Sequence, residues 1–209
     1  NLVEAIPFST IQFHPSRLDE PLRWRKPQRV LVCSMGDLFH EDVPDKWLDK
    51  VFLYMANAKQ HVYMVLTKRP DRMQEYIADY YKHRAYRSYE TGMPIPVGPP
   101  SHIWLGASVE NQATADQRIP ILLQTPAAKR FISVEPLLGP VDLSQAKGLP
   151  IWWERQGIPY RDGWTGRKIS EAPVSRWRHH DSNLHPYLNW VVVGSESGPH
   201  RRPCNTDWI

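Results

Sequence analysis

Five short apolar runs along the chain each end in polar residues, and this repeated pattern predicts the fold. The runs open the segments 30–40 (VLVCSMGDLFH), 62–69 (VYMVLTKR), 103–111 (IWLGASVEN), 130–135 (RFISVE) and 190–197 (WVVVGSES). Their length and their β-branched and aromatic content are typical of strands buried on both faces, as in a parallel sheet covered by helices. An upstream run, TIQFH at residues 10–14, is a further candidate strand.

Between these runs, apolar residues recur at helical spacing. After the first run the sequence predicts a helix with Asp42 as its cap and Pro44 in its first turn. The apolar face of this helix is predicted to hold Trp47, Val51, Tyr54, Met55 and Ala58. A second helix begins at Pro70, and its stripe suits core packing: Met73, Tyr76, Ile77 and Tyr80. A third is predicted over residues 111–124, broken or kinked at Pro120.

The alternation of strands and helices predicts an α/β fold built from right-handed β-α-β crossovers. The choice lies between an open doubly wound sheet and a parallel (β/α) barrel. No GxGxxG or GxxxxGK[ST] loop follows any of the runs, which weakens the nucleotide-binding sheet alternative. A length of 209 residues favours a single barrel-like domain over residues 1–209.

Residues 147–189 form a tryptophan- and arginine-rich segment that is longer than a plain connection, and we interpret it as an insertion within the domain. Its aromatic and basic residues are Trp152, Trp153, Trp164, Trp177, Arg155, Arg161, Arg167, Arg176 and Arg178. Tryptophan rings that stack on bases, beside guanidinium groups that meet phosphates, suit single-stranded nucleic acid. A small satellite core is the favoured alternative, because large aromatic side chains usually serve packing.

Composition adds two constraints. The net charge of +4 and the pI near 9.1 allow a nucleic-acid partner, although so mild an excess is common in proteins that bind none. No run approaches the roughly 20 apolar residues of a membrane helix and no signal pattern opens the chain, so we expect a cytoplasmic protein without a membrane partner.

The two cysteines, Cys33 and Cys204, have no CxxC spacing and no disulfide framework. Because Cys33 continues the first apolar run, we expect it to be a packed core thiol.

The polar residues at the ends of the runs are candidates for a common site, because the C-terminal ends of parallel barrel strands share one face. They are Ser34, Asp37, Thr67, Lys68, Arg69, Ser108, Glu110, Asn111, Ser133, Glu135, Ser195, Glu196 and Ser197. This set suits a zwitterion: Lys68 or Arg69 pairs with its carboxylate, and Asp37 or a glutamate takes its ammonium. A helix cap or a surface ion pair remains an equal alternative for any one of them. Together they predict a pocket for an amino-acid-bearing ligand.

The motifs CSMGDLFH, LTKRP, WLGASVEN, RFISVEPLLGP and WVVVGSESGP resemble a phage-associated, largely uncharacterised family of radical-S-adenosylmethionine-like barrel proteins. The resemblance runs from about residue 11 to the C-terminus, and more distantly the motifs are similar to the spore photoproduct lyase branch. It implies a partial or complete (β/α) barrel of the radical-SAM/TIM type, with a [4Fe-4S] cluster that binds and reductively cleaves S-adenosylmethionine.

The resemblance also implies roles for single residues. Ser34, Lys68 and Ser108 correspond to contacts with the methionyl part of S-adenosylmethionine, and the charge argument adds Asp37. Candidates for substrate contact or proton transfer are Glu110, Glu135 and Glu196.

One departure from that family concerns the cluster. Its cysteine ligands lie before the first strand seen here, and Cys33 and Cys204 do not supply the several thiolates that a [4Fe-4S] cluster needs. The chain starts at Asn1 rather than at a methionine and stops soon after its last strand. We therefore expect a fragment that lacks the first and last β/α units and is inactive alone.

Three functional hypotheses follow from the sequence. The first is a fragment of a radical-S-adenosylmethionine-like iron-sulfur enzyme of unknown substrate, with nucleic acid as one option. The second is a non-catalytic, phage-associated nucleic-acid-binding protein that uses the insertion. The third is an ordinary barrel hydrolase or lyase that uses Glu110 and Glu135. The sequence leaves the substrate, the reaction and the oligomeric state open.

Overall fold

The structure is a computed structural model, and it describes residues 10–83, 88–90, 92–143, 160–161, 168–170 and 188–194. Its elements in chain order are a 3-10 helix (Pro15–Arg17), α1 (Glu20–Arg23), β1 (Arg29–Val32), α2 (Asp45–Asn57), β2 (Val62–Thr67), α3 (Pro70–Lys82), β3 (Ile103–Ser108), α4 (Gln112–Gln124), β4 (Lys129–Val134), β5 (Tyr160–Arg161), β6 (Lys168–Ser170) and β7 (Trp190–Val193). Among the described residues no helix has the length and apolar character needed to cross a membrane.

The main sheet is parallel and has the strand order β1-β2-β3-β4-β7. This order follows the chain and contains no reversal, whereas a doubly wound sheet reverses at a switch point. The sheet therefore curls like half a barrel, and the predicted α/β class with a parallel sheet is confirmed. Strands β5 and β6, which lie in the predicted insertion, form a separate antiparallel pair.

The two faces of the sheet have different partners. One face packs against the helices, where Val65, Leu105 and Ile132 are buried in the core. The opposite face carries rows of side chains in register across the strands. One row runs through Leu66, Gly106, Phe131 and Trp190, and the next row towards the strand ends runs through Ser108, Ser133 and Val192. The serines of the second row thus lie beside apolar side chains, and both serines and Phe131 are buried.

Helix α2 differs in detail from its prediction. It begins at Asp45 with Pro44 at the N-cap position, so Asp42 is not its cap. Met55 and Ala58 are buried as expected, but Trp47, Val51 and Tyr54 are only partly buried. The buried face instead consists of Leu48, Phe52, Leu53, Met55 and Ala56. By contrast, the predicted stripe of α3 is confirmed at all four positions.

One predicted strand is absent, and one predicted break in a helix does not occur. Residues 10–14 form no strand; Ile11 instead packs against the core, and Phe13 stacks on Trp47 with ring centroids 4.9 Å apart. Helix α4 runs through Pro120 without a break. The proline removes one backbone donor, while an Asn111–Thr114 capping box and buried residues on both sides of the proline hold the helix.

Cys33 is exposed, so the prediction of a core thiol was wrong. Strand β1 ends at Val32, and Cys33 follows in the left-handed conformation with φ 57°. Its carbonyl accepts a hydrogen bond from Gly36 N at 3.0 Å, which closes a turn. Partial burial, and secondarily the charge of Asp37, raise the pKa of this thiol.

Gly106 lets the aromatic ring of Phe131 lie directly on β3. A Cβ at this position would fall 2.5 Å from two atoms of that ring. We therefore expect Gly106→Ala to lower the free energy of unfolding by about 2 kcal/mol, the typical cost of overpacking. Urea denaturation measures this, and Gly98→Ala is the control because its Cβ would meet nothing within 4 Å. Equal stability of the two variants would contradict this packing.

Candidate functional site

Polar side chains from three successive strand ends are connected at the C-terminal edge of the sheet. Asp37 lies in the segment after β1, Lys68 and Arg69 lie between β2 and α3, and Glu110 lies between β3 and α4. Because the strands are parallel and adjacent, these loops meet at one edge. The predicted convergence of these four residues is thus observed.

Asp37 connects the end of β1 to the end of β2. Its Oδ1 accepts hydrogen bonds from Phe39 N at 2.9 Å and Thr67 Oγ1 at 2.7 Å. Its Oδ2 accepts from Lys68 N at 2.9 Å and from an Arg69 guanidinium nitrogen at 3.2 Å. A carboxylate offers about four lone-pair positions, so these four donors use them all. In this arrangement Asp37 orients Lys68 and Arg69 rather than presenting a free carboxylate.

Glu110 forms ion pairs with two cations of different exposure. Its Oε1 lies 2.9 Å from Lys68 Nζ, and its Oε2 lies 2.9 Å from an Arg118 guanidinium nitrogen. The Arg118 side chain is 17% exposed, and it also donates to the Ser108 carbonyl at 2.7 Å. The Lys68 side chain is 56% exposed. Arg118 is therefore a fixed partner of Glu110, whereas Lys68 is a partner that solvent or a ligand can reach.

The electrostatics of this triad keep Glu110 ionised. Burial alone would raise the pKa of Glu110, but the hydrogen bond from Lys68 and the charges of Arg118 and Lys68 outweigh it and hold the pKa below its ordinary value. At neutral pH the group is a carboxylate. It is suited to accept a hydrogen bond or a proton, and unsuited to donate one.

The remaining candidates lie around this triad. Ser34 is exposed in the turn after β1, and Ser108 is buried at the end of β3. Ser133 Oγ lies 3.5 Å from Glu135 Oε2, and Glu135 is exposed. The carboxylate of Glu135 occupies the space beside Gly194, where a Cβ would meet it.

Three of the strand-end candidates, Ser195, Glu196 and Ser197, lie outside the described residues. So do the tryptophans of the insertion and Cys204.

Arg118 is the residue that sequence reasoning missed. On α4 it falls within the buried stripe of Ala115, Ile119 and Leu122, three residues after the first and four before the last. An arginine at a core-facing position needs a buried partner, and this signal was available in the sequence.

The candidate ligand-binding residues do not line the groove next to them. That groove has a volume of about 280 Å³ and lies between residues 17–24, β1 and α2; Cys33 lines it at one end. Within the described part of the chain no group of three His, Cys, Asp or Glu side chains is placed to hold a metal ion.

Comparison with known proteins gives one match. A family model described as "Protein of unknown function (DUF5131)" matches residues 3–209. No curated protein and no solved structure matches the chain.

Proposed function

The chain belongs to the DUF5131 family, whose function is unknown, and we propose its function from the chemistry of the strand ends: this edge binds S-adenosylmethionine through the amino-acid group of the ligand. In the same proposal the curled sheet is part of a barrel of the radical-S-adenosylmethionine type.

The single observation that carries the proposal is the ion pair between Lys68 and Glu110. An α-amino acid carries one carboxylate and one ammonium, and this pair offers one partner of each sign at 2.9 Å. A bound zwitterion replaces one internal ion pair with two ion pairs to the ligand. Arg118 still holds the other oxygen of Glu110 after Lys68 moves, so the carboxylate remains charged and in place.

The serines and the phenylalanine next to this ion pair are buried, and their chemistry matches the rest of such a ligand. Ser108 and Ser133 share a row on the sheet face opposite the helices, and the row below contains Leu66, Gly106 and Phe131. Hydroxyl groups beside apolar side chains suit a ribose and an adenine ring. Ser34 and Ser108 are the proposed hydroxyl contacts to the methionyl group, and Asp37 is a positioning residue for Lys68.

An iron-sulfur cluster does not fit the residues of this sequence. It has two cysteines, and Cys33 is an exposed residue of a turn without other suitable ligands nearby in the described part of the chain. We therefore derive no reaction step through a cluster. Two residues remain proposed for substrate contact or proton transfer. They are Glu110, which is ionised, and Glu135, which is exposed.

Replacing Lys68 with methionine tests the proposal. Equilibrium dialysis with radiolabelled S-adenosylmethionine is expected to show binding by the wild-type protein, weakened roughly tenfold to 100-fold in Lys68→Met. The reason is that a hydrogen bond to a charged group contributes about 1.5 to 3 kcal/mol. Lys68 is half exposed, so its loss leaves the fold intact, which thermal unfolding verifies.

The matched control is Lys46→Met, which removes an exposed lysine from the first turn of α2. This variant is expected to bind like the wild-type protein. Wild-type protein that does not bind the ligand, or Lys68→Met that binds it equally well, would contradict the proposal.

A further inference from the structure

The opposite edge of the sheet is basic. This N-terminal edge consists of the segments that lead into the strands: residues 24–29, 58–62, 98–103, 125–130 and 188–190. They contain the cations Arg25, Lys26, Arg29, Lys59, Lys129 and Arg130, and they contain no Asp or Glu. The carboxylates Asp37, Glu110 and Glu135 are all at the C-terminal edge. The N-terminal segments thus carry only positive charge, whereas the C-terminal edge carries both signs, with Lys68 and Arg69 paired to its carboxylates.

Tryptophan rings lie among these cations. Trp190, at the start of β7, is 41% exposed and meets Trp104 edge to face, with ring centroids 5.9 Å apart. Lys129 Nζ lies 4.8 Å from the centre of the Trp104 ring. In the segment before β1, Trp24 is 38% exposed and lies against His61. The N-terminal edge therefore combines exposed ring surface with positive charge.

Part of this charge has a structural role. Lys59 lies just beyond the C-terminus of α2, and Arg130 donates to the Leu122 and Thr125 carbonyls at the end of α4, so both complement a helix terminus. That account does not extend to Arg25, Lys26 and Arg29. These three are exposed, and they form no ion pair within the ranges that the structure describes. Their charge is available to a partner.

We propose that the N-terminal edge binds single-stranded nucleic acid, with phosphates along the basic segments and a base stacked on Trp190. Exposed rings interleaved with cations are what sequence-tolerant single-strand binding requires. Five strands about 4.8 Å apart span about 19 Å, several times the 3.4 Å rise between stacked nucleotides of one strand. Binding here is independent of the ligand proposed for the strand ends.

The experiment measures fluorescence anisotropy of labelled dT20 and rU20 oligonucleotides with the full chain over a range of salt concentrations. Wild-type protein is expected to bind, and the logarithm of its association constant is expected to fall linearly with the logarithm of the salt concentration. Arg25→Gln with Lys26→Gln is expected to weaken binding and to reduce the salt slope by about 1.4, since each phosphate contact contributes about 0.7 for a single strand. Comparing dT20 with rU20 shows whether the affinity differs between DNA and RNA.

The matched control is Lys46→Gln with Lys50→Gln, which removes two exposed lysines from α2 and is expected to leave the slope unchanged. Trp190→Leu keeps an apolar side chain but removes the stacking ring, and we expect roughly tenfold weaker binding. No binding by wild-type protein at low salt, equal effects of the two double variants, or no effect of Trp190→Leu would each overturn the proposal.

Discussion

Replacing Asp37 with asparagine is expected to lower the free energy of unfolding by about 3 kcal/mol. Both carboxylate oxygens of Asp37 accept hydrogen bonds. The amide nitrogen of asparagine is a donor, so whichever oxygen it replaces, it faces groups that are also donors. If it replaces Oδ2, the nitrogen meets Lys68 N and the Arg69 guanidinium, and both lose their acceptor. The ion pair with Arg69 is lost in either orientation, because the amide carries no charge. Hydrogen bonds to charged groups each contribute about 1.5 to 3 kcal/mol, which sets the size of the effect.

Urea denaturation measures this change, and Asp42→Asn provides the matched control. The Asp42 side chain is 76% exposed and lies 3.7 Å from His40 Nδ1, so its replacement is expected to change stability by less than about 0.5 kcal/mol. If Asp37→Asn were as stable as Asp42→Asn, Asp37 would not be the residue that connects β1 to β2.

Replacing Arg118 with methionine is the second change with a large expected effect. It is expected to lower the free energy of unfolding by about 3 kcal/mol. The substitution keeps an unbranched apolar side chain but removes the guanidinium, which leaves the Ser108 carbonyl without this donor and Glu110 with Lys68 alone. Removing one partner of a buried ion pair typically costs about 3 to 5 kcal/mol, and the remaining Lys68 contact places this case at the lower end. The same variant is expected to weaken binding at the strand ends, because Glu110 is no longer held in place.

Two further variants define the cause of that loss. Arg118→Met with Glu110→Gln removes the uncompensated charge, so it is expected to recover part of the stability lost in the single variant. Arg23→Met breaks an exposed pair with Asp19 and is expected to cost less than about 1 kcal/mol. Equal losses in Arg118→Met and Arg23→Met would show that the Arg118 contact is a surface pair.

The parallel sheet was predictable because its strands read as apolar runs with polar ends. The stripe of α3 was predictable for a related reason: Met73, Tyr76 and Ile77 follow one helical face without a competing apolar face. In α2 two adjacent apolar faces exist, and periodicity alone does not say which one meets the sheet. The structure buries Leu48 and Phe52 and leaves Trp47 and Val51 partly buried at the margin of the core.

Other errors have tertiary causes. Residues 10–14 have the composition of a strand but pair with none, since Phe13 packs on Trp47 instead. Cys33 continues an apolar run, yet it lies beyond the end of β1 in a left-handed turn with φ 57°, where it is exposed. Pro120 removes one helical hydrogen bond, and burial of Ile119 and Leu122 is enough to keep α4 continuous. None of these outcomes can be predicted from the local sequence pattern alone.

The sequence was sufficient to predict which residues lie at the candidate site, but not which of them contact one another. Parallel topology alone places Asp37, Lys68 and Glu110 at one edge. The division of roles among them depends on geometry: Asp37 is fully used by internal donors, whereas Lys68 is half exposed beside Glu110. Arg118, which fixes Glu110, comes from a helix that strand-end reasoning did not consider.

The central claim is that the strand ends recognise the amino-acid group of an adenosyl ligand through Lys68 and Glu110. A calorimetric titration of the wild-type protein with S-adenosylhomocysteine and with 5′-methylthioadenosine tests it most directly, because the second ligand keeps the adenosine and sulfur but lacks the amino acid. We predict that the first ligand binds at least about tenfold more tightly, the difference that one retained charge-assisted contact supplies. Equal affinity for the two ligands, or no binding of S-adenosylhomocysteine, would contradict the claim.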